Sequence, residues 1–450
     1  MNRFIMRIGI VIAGLGLAIG AAAPKPAAAI TIQEALTRLI FDHPQVKAAN
    51  NTLASSRQEL IKAKAAFLPS VNVTTDYGAE RIDNPAERLT GDNKISSRTK
   101  ATTSFTVTQN LFDGFSSSSN ARAVRYDKLV NEATLSTTTQ TIMMEGVAAY
   151  VDVLRQNQLV ELASQNEETI QIQLNLEDER VLKGSGIAVD VLQAKSRLQL
   201  SRERVVRFQG ALEDAFSRYI QVFNEAPELE EMEEPKPAAE LIPGSLDEAI
   251  DIALVENPAI LNGDRLVAAA RARRKSARSE LFPTIDLVGT WNYEKHNGGT
   301  IGTRRDYSVL LQANWDLFSG LTARANIAQA AFNYSASRDN YDFAVRKTVE
   351  TVRLAWQALK TGRDRLFLLE NAVNIASEVF ESRKKLRSAG KETVINVLDA
   401  ESEIANARIN FASAFFDVRT AVFQLLLAMG RLNVAELASA TDDAGDTLQQ

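Results

Sequence analysis

The sequence predicts an α+β protein in which long coiled-coil helical hairpins are joined to four antiparallel strands. Three observations carry that prediction: the chain is an internal duplication, each half holds a strictly alternating hairpin, and each half holds a proline-free run of nearly seventy residues. The duplication is read first, because it halves the problem. "TIQEALTRLIFDHPQVKAANNTLASSRQELIKAKAAFLPSVNV" from Thr31 aligns without a gap on "SLDEAIDIALVENPAILNGDRLVAAARARRKSARSELFPTIDL" from Ser245. That alignment pairs Glu34 with Glu248, Pro44 with Pro258 and Pro69 with Pro283. Further on, "LFDG" at 111–114 pairs with "LFSG" at 317–320, and "DVLQA" at 190–194 with "NVLDA" at 396–400. The offset drops from 214 to 206 between the two sets, which places eight extra residues of the first copy in the turn-rich stretch "ERIDNPAERLTGDNK".

The elements follow in chain order. Residues 1–29 read as a signal peptide. Arg3 and Arg7 flank a 13-residue apolar run, 8–20, and small residues end in Ala27-Ala28-Ala29, with Ala23 as the other cleavage point. No other stretch reaches the ~18 apolar residues of a membrane helix. Residues 30–226 form the first repeat, 227–243 an acidic connector bearing Pro227, Pro235, Pro237 and Pro243, 244–430 the second repeat, and 431–450 a polar, flexible tail.

In each repeat, a helix ending near Pro69 or Pro283 turns into a strand, since proline stops a helix and is tolerated at the first residue of a strand. Val71, Val73 and Tyr77 alternate with Asn72, Thr74 and Asp76. Phe105 and Val107 alternate with Ser104 and Thr106 in the second strand. In the other half Ile285, Leu287, Trp291 and Tyr293, then Tyr307, Val309, Leu311 and Trp315, do the same. Alternation alone fits a half-buried sheet packed on helices. Segments of ~9–11 residues with aromatics towards their ends also fit tilted membrane strands with interfacial aromatics. Four strands cannot close a barrel, and open edges are not tolerated in lipid, so membrane strands would have to close with further copies of the chain, eight strands from two or twelve from three.

The runs 116–183 and 322–388 follow, each on the order of 100 Å long if helical at ~1.5 Å per residue. In the second, Val345, Val352, Leu359, Leu366, Val373 and Phe380 recur every seven residues, the seam of a coiled coil. The first has a poorer seam of Val153, Val160 and Leu174 with Glu167 inside it. Gly184 and Gly186, and Gly390, end these helices as left-handed caps do, and a returning helix starts within a few residues. Asp190 and the Glu392–Asp399 pair sit near the start of those returning helices, where a carboxylate is favourable on local grounds alone.

With 51 basic and 56 acidic residues spread along the chain and a net charge of -5, there is no basic stripe for nucleic acid. The chain has no cysteine, so neither a disulfide framework nor a lipidated cysteine is available. Only two histidines occur; His43 precedes Pro44 where the second copy has Asn257, which marks it as a turn or cap residue rather than a catalyst. No catalytic, phosphate-binding or metal-ligand motif appears, and no enzyme activity, metal or cofactor is expected. "SSSSN" at 116–120 reads as the strand-to-helix exit.

The "FLPSVNV"/"LFPTIDL", "LFDG"/"LFSG" and "DVLQA"/"NVLDA" pairs, in this order twice over about residues 30–430, resemble the TolC family of outer-membrane efflux and type I secretion proteins. The resemblance implies a homotrimer with a 12-stranded β-barrel in the outer membrane, continuous with an α-helical barrel in the periplasm of a Gram-negative bacterium. It implies a closed tip that opens on docking to a periplasmic adaptor and an inner-membrane ABC or proton-driven pump. The lack of a cysteine to lipidate resembles the branch serving both type I secretion and drug export. By resemblance, Asp190, Glu392, Asn396 and Asp399 fall at the periplasmic gate, and Tyr77, Trp291, Tyr293, Tyr307 and Trp315 at the membrane interface. A ring of Asp399 from three chains would favour cations. The family has an aspartate in place of Asn396 and a basic residue in place of Glu392. A salt bridge from Asp190 to position 392 is therefore excluded, and Lys183, Arg387 or Lys391 would have to supply closure. The competing class is a periplasmic coiled-coil adaptor or scaffold with a small soluble sheet domain.

Overall fold

A computed structural model describes residues 31–82, 96–235, 241–298 and 301–434. The signal peptide, most of the eight-residue insertion, part of the connector and residues 435–450 lie outside them. Two short helices open each half: α1 (Ile32–Asp42) and α2 (Pro44–Ala65) in the first, α5 (Leu246–Glu256) and α6 (Pro258–Ala277) in the second. Thr31 and Ser245 cap the first of each pair, accepting from Glu34 N at 3.3 Å and Glu248 N at 3.2 Å. His43 and Asn257 then cap the second, accepting from Gln45 N and Ala259 N, with Pro44 and Pro258 at the first helical position. His43 is thus the capping residue its alignment with Asn257 predicted.

Strands β1 (Ser70–Ile82), β2 (Ser96–Phe112), β3 (Thr284–Lys295) and β4 (Thr303–Asn314) form one antiparallel sheet in sequence order. Long helices α3 (Ser116–Leu182) and α7 (Thr322–Ser388) leave it, 67 residues each, and α4 (Ala188–Phe223) and α8 (Val394–Met429) return over 36 residues each. Pro69 and Pro283 each stand immediately before a strand. Below the sheet the neighbours run α2–α3–α6–α7, the same order as the strands they join. Every strand therefore continues into the helix beneath it. Further down, α4 and α8 take over, and the order becomes α4–α3–α8–α7.

The main core lies at mid-height. There α1 and α5 pack on the long helices around Tyr150, Val147, Leu36, Phe423, Leu426 and Met429, all at 1% exposure or less. Each such side chain stabilises the fold by about 1.5–3 kcal/mol through burial. The described residues of the connector belong to this core. Leu229, Met232, Leu241 and Ile242 pack against it, the Tyr150 hydroxyl donates to Glu233 O at 2.8 Å, and Arg419 grips Glu234 and Pro235 O. Packing likewise continues past residue 430: Leu432 is fully buried and Arg431 forms a bidentate pair with Glu256 at 2.6 and 2.7 Å.

The α7 seam follows the heptads, with Val352, Leu359 and Phe380 buried and the other three half-buried. In α3 the expected Val153 and Leu174 are buried, but they do not form a continuously buried seven-residue row. The buried rows of α3 are Leu159, Asn166 and Gln173, and Ala163, Ile170 and Glu177, while Val160 and Glu167 are only half-buried. Three polar residues inside those rows blur the seven-residue apolar repeat.

Candidate functional site

The sheet and the far end of the helices hold the residues that the sequence singles out. In the sheet, pairing places Val73, Phe105, Trp291 and Tyr307 in one row across all four strands. Val71, Val107, Leu287, Leu311 and Tyr293 share that face. It is bare: Tyr77, Tyr307 and Val309 are 81, 83 and 75% exposed. The opposite face is a polar mesh. Ser104 donates to Asn292 Oδ1 at 2.7 Å, Asn292 to Asp306 at 2.9 Å, Thr102 to Asp76 at 3.1 Å and Asn110 to Asp286 at 2.9 Å. Of the aromatics expected towards the strand ends, Tyr77, Trp291, Tyr293 and Tyr307 lie inside their strands, Tyr293 two residues from the end of β3, and the strands run on through Glu80, Arg81, Lys295 and Arg304. Phe112 is the last residue of β2, and Trp315 stands just past β4, its indole donating to Leu281 O at 3.3 Å.

At the far end, Gly184 and Gly390 adopt left-handed φ of 77° and 75°. Each closes its helix with a paired turn, Ser185 N to Arg180 O with Gly184 N to Val181 O, and Lys391 N to Leu386 O with Gly390 N to Arg387 O. Gly186 does not share that geometry. A Cβ there would sit 2.7 Å from Val181 N, so glycine is required for close approach and not for a left-handed turn. Its counterpart in the second copy is Glu392, whose carboxylate accepts from Thr393 N at 3.0 Å and from the Asn396 side chain. Those hydrogen bonds, with Arg383 and Arg387 nearby, hold the Glu392 pKa below the usual carboxylate range.

The two hairpins are tied by Glu177, which is 2% exposed. Arg387 reaches it across the hairpins at 2.6 and 3.3 Å, Arg180 joins from its own helix at 3.0 Å, and Arg387 also donates to Glu392 O at 2.8 Å. Two helical turns above Glu392, Glu401 accepts from Asn166 at 3.0 Å across the same seam. Burial raises its pKa; the Asn166 hydrogen bond, Arg408 and Lys384 oppose the shift, and Glu381 adds to it. Of the three basic residues offered for closure, the structure brings only Arg387 into this knot: Lys183 pairs with Glu179 on its own helix at 3.6 Å. Lys391 is exposed and, among the described residues, in no ion pair. Asp190 is half-buried and likewise unpaired there. Asp399 is exposed with Arg197 at 2.7 Å, so its charge is locally compensated. Sequence reasoning missed Glu177, Asn166, Glu401 and Arg197. A seven-residue walk from Ala163 through Ile170 reaches Glu177, a signal hidden by weighing apolar residues alone.

Comparison with known proteins adds the following. The family described as outer membrane efflux protein matches residues 32–222 and 249–431. The outer membrane efflux protein BepC of Brucella suis biovar 1 is 25% identical, over 90% of this chain and 87% of its own length. The alkaline protease secretion protein AprF of Pseudomonas aeruginosa is also 25% identical, over 90% and 85%. These relatives are efflux and secretion proteins rather than enzymes. The crystal structure of the outer membrane protein VceC of Vibrio cholerae superposes with a TM-score of 0.77 at 14% identity, covering 89% of this chain and 96% of that one.

Proposed function

The chain belongs to the outer membrane efflux protein family, and from that premise we propose that it is the exit duct of a tripartite efflux or type I secretion system. In this reading three copies close a 12-stranded barrel in the outer membrane, and their helices form a tunnel through the periplasm. A periplasmic adaptor and an inner-membrane pump feed it.

The observation that carries the reading is the four-stranded sheet that continues strand by strand into a four-helix wall. One of its faces is apolar and bare, the other a polar mesh. Among the described residues β1 and β4 have free outer edges, and in lipid each unpaired backbone group costs several kcal/mol, so the edges must close on further copies. The six residue steps from Ile285 to Trp291 span ~20 Å of strand, and Tyr293 lies at ~26 Å, which after tilt suits an apolar band about 25 Å tall. A small soluble sheet would instead need helices over its apolar face, which supports the duct over the adaptor. The polar face then lines the lumen.

At the tip, the Glu177–Arg387–Glu392 knot holds the two hairpins of one chain together, and Asp190, Asn396 and Asp399 are gate positions around the axis. Arg197 beside each Asp399 moderates the charge of that ring. Native mass spectrometry of the detergent-extracted protein, with conductance in planar bilayers, tests the reading. Three chains per complex and low-conductance pores are expected. A monomer stable in buffer without detergent overturns it.

A further inference from the structure

The duct reading leaves unexplained a groove of about 520 Å³ between α3, α6 and α7, just below the sheet. Arg122, Arg271, Arg274, Lys275 and Arg278 line it, against a single carboxylate, Asp264, which is already paired with Arg265 at 3.3 Å. Among the described residues none of the five cations has a carboxylate partner within 4.0 Å. Arg273, on the same helix but outside the groove, is satisfied by Asp127 at 2.6 Å. Five uncompensated cations held together repel one another, and an anion is the remedy.

The side of the wall on which the groove opens can be traced. Phe112 pairs with Ile285 and so projects from the apolar face of the sheet. Phe115 packs edge-on against Phe112 at 5.6 Å and is exposed, and Lys275 Nζ lies 5.8 Å from the Phe115 ring. Lys275, and the groove it lines, therefore face the same side as the apolar sheet. Arg274, Lys275 and Arg278 lie within roughly 9–15 Å of the first residue of β3, Thr284, at ~1.5 Å per helical residue. A headgroup layer is roughly 5–8 Å thick, and long basic side chains snorkel towards it. The duplication supplies an internal control. At the positions of Arg274 and Lys275 the first copy has Leu60 and Ile61, so the joint between helix and strand does not itself require these cations.

We propose that this groove binds the phosphate headgroup of an anionic glycerophospholipid in the leaflet bordering the helical wall, fixing the depth of the barrel in the membrane. Tyr334, which stacks on Arg274 at 4.3 Å, keeps that guanidinium poised in the groove. The inference rests on the duct reading, and its test separates the two. The detergent-extracted full-length protein is mixed with equal amounts of phosphatidylglycerol and phosphatidylcholine and examined by native mass spectrometry. Retention of phosphatidylglycerol is expected to exceed that of phosphatidylcholine at least about tenfold. The triple variant Arg274→Gln, Lys275→Gln, Arg278→Gln, with unchanged oligomer mass and helical circular dichroism, is expected to lose that preference. The paired variant Arg57→Gln, Lys64→Gln in the first copy is expected to keep it.

Equal preference in the triple variant and the parent overturns the proposal, as does equal loss in the paired variant. Displacement of the lipid by millimolar inorganic phosphate would mark a free-anion site and also overturn it. Pore-forming complexes without lipid preference would break this inference alone, whereas a monomer soluble without detergent would break the duct reading.

Discussion

The two hairpins have the same lengths and different interiors. Both long helices run 67 residues and both returning helices 36. Yet the second seam is held by Val352, Leu359 and Phe380, and the first by Leu159, Ile170, Asn166 and Glu177. Duplication preserved the scaffold and reassigned its chemistry: the first copy supplies buried polar groups, and the second supplies their partners, Arg387 and Glu401. An apolar seam holds a coil together in one register, whereas a polar seam can exist in made and broken forms. The inequality therefore concentrates any opening at the junction between copies.

The sharpest way to break this comparison is Glu177→Ala, which strands Arg387 and Arg180 without their carboxylate. Removing one partner of a buried pair costs on the order of 3 kcal/mol. The tip amides should exchange with solvent about a hundredfold faster and closed-state conductance should rise. Val373→Ala, in the second seam, should leave conductance as it was.

Acid sharpens the same contrast, because two glutamates respond with opposite signs. Glu401 has a raised folded pKa, so its stabilising, protonated form is fully present below the ordinary glutamate value and lost as pH rises through the raised one. Glu392 has a lowered folded pKa, so its contribution is present above the ordinary value and lost as pH falls through the lowered one. From neutral pH down to the ordinary glutamate range, exchange at the Asn166–Glu401 seam should slow. Below that range, exchange at residues 392–396 should quicken. Hydrogen exchange corrected for intrinsic rates reads both, and the reverse order would remove these groups from the account.

A smaller effect is expected at the exposed pair of Asp399 and Arg197. Asp399→Asn should change stability by less than about 1 kcal/mol, while lowering cation preference measurably in reversal-potential experiments. The smallest effect belongs to Lys391→Ala, for which closed-state conductance should be unchanged. A rise there would restore Lys391 to the closure contacts.

Much of this architecture was legible in the sequence because its signals are local. Pro69 and Pro283 announce the change from helix to strand, and Gly184 and Gly390 announce the turns within a residue or two. The connector was not legible: prolines and glutamates at 227–243 look like a linker, and only the distant Tyr150 and Arg419 reveal that Leu229 and Met232 are anchored. Glu177 was obscured for the same reason, since a charge in a coiled-coil row looks like an interruption until its partner, 210 residues away, is in view. Gly186 resembled Gly184 by type while serving a neighbour's backbone and not its own φ.

The packed connector also has a mechanical consequence. It clamps the long helices at the height of Tyr150, leaving α3 to project some 32 residues, about 50 Å, as a cantilever. On an arm that long, a tilt of about 5° at the clamp carries the tip through about 4 Å, more than the length of an ion pair. A partner that levers the wall at mid-height can therefore part Glu177 from Arg387 without touching either residue.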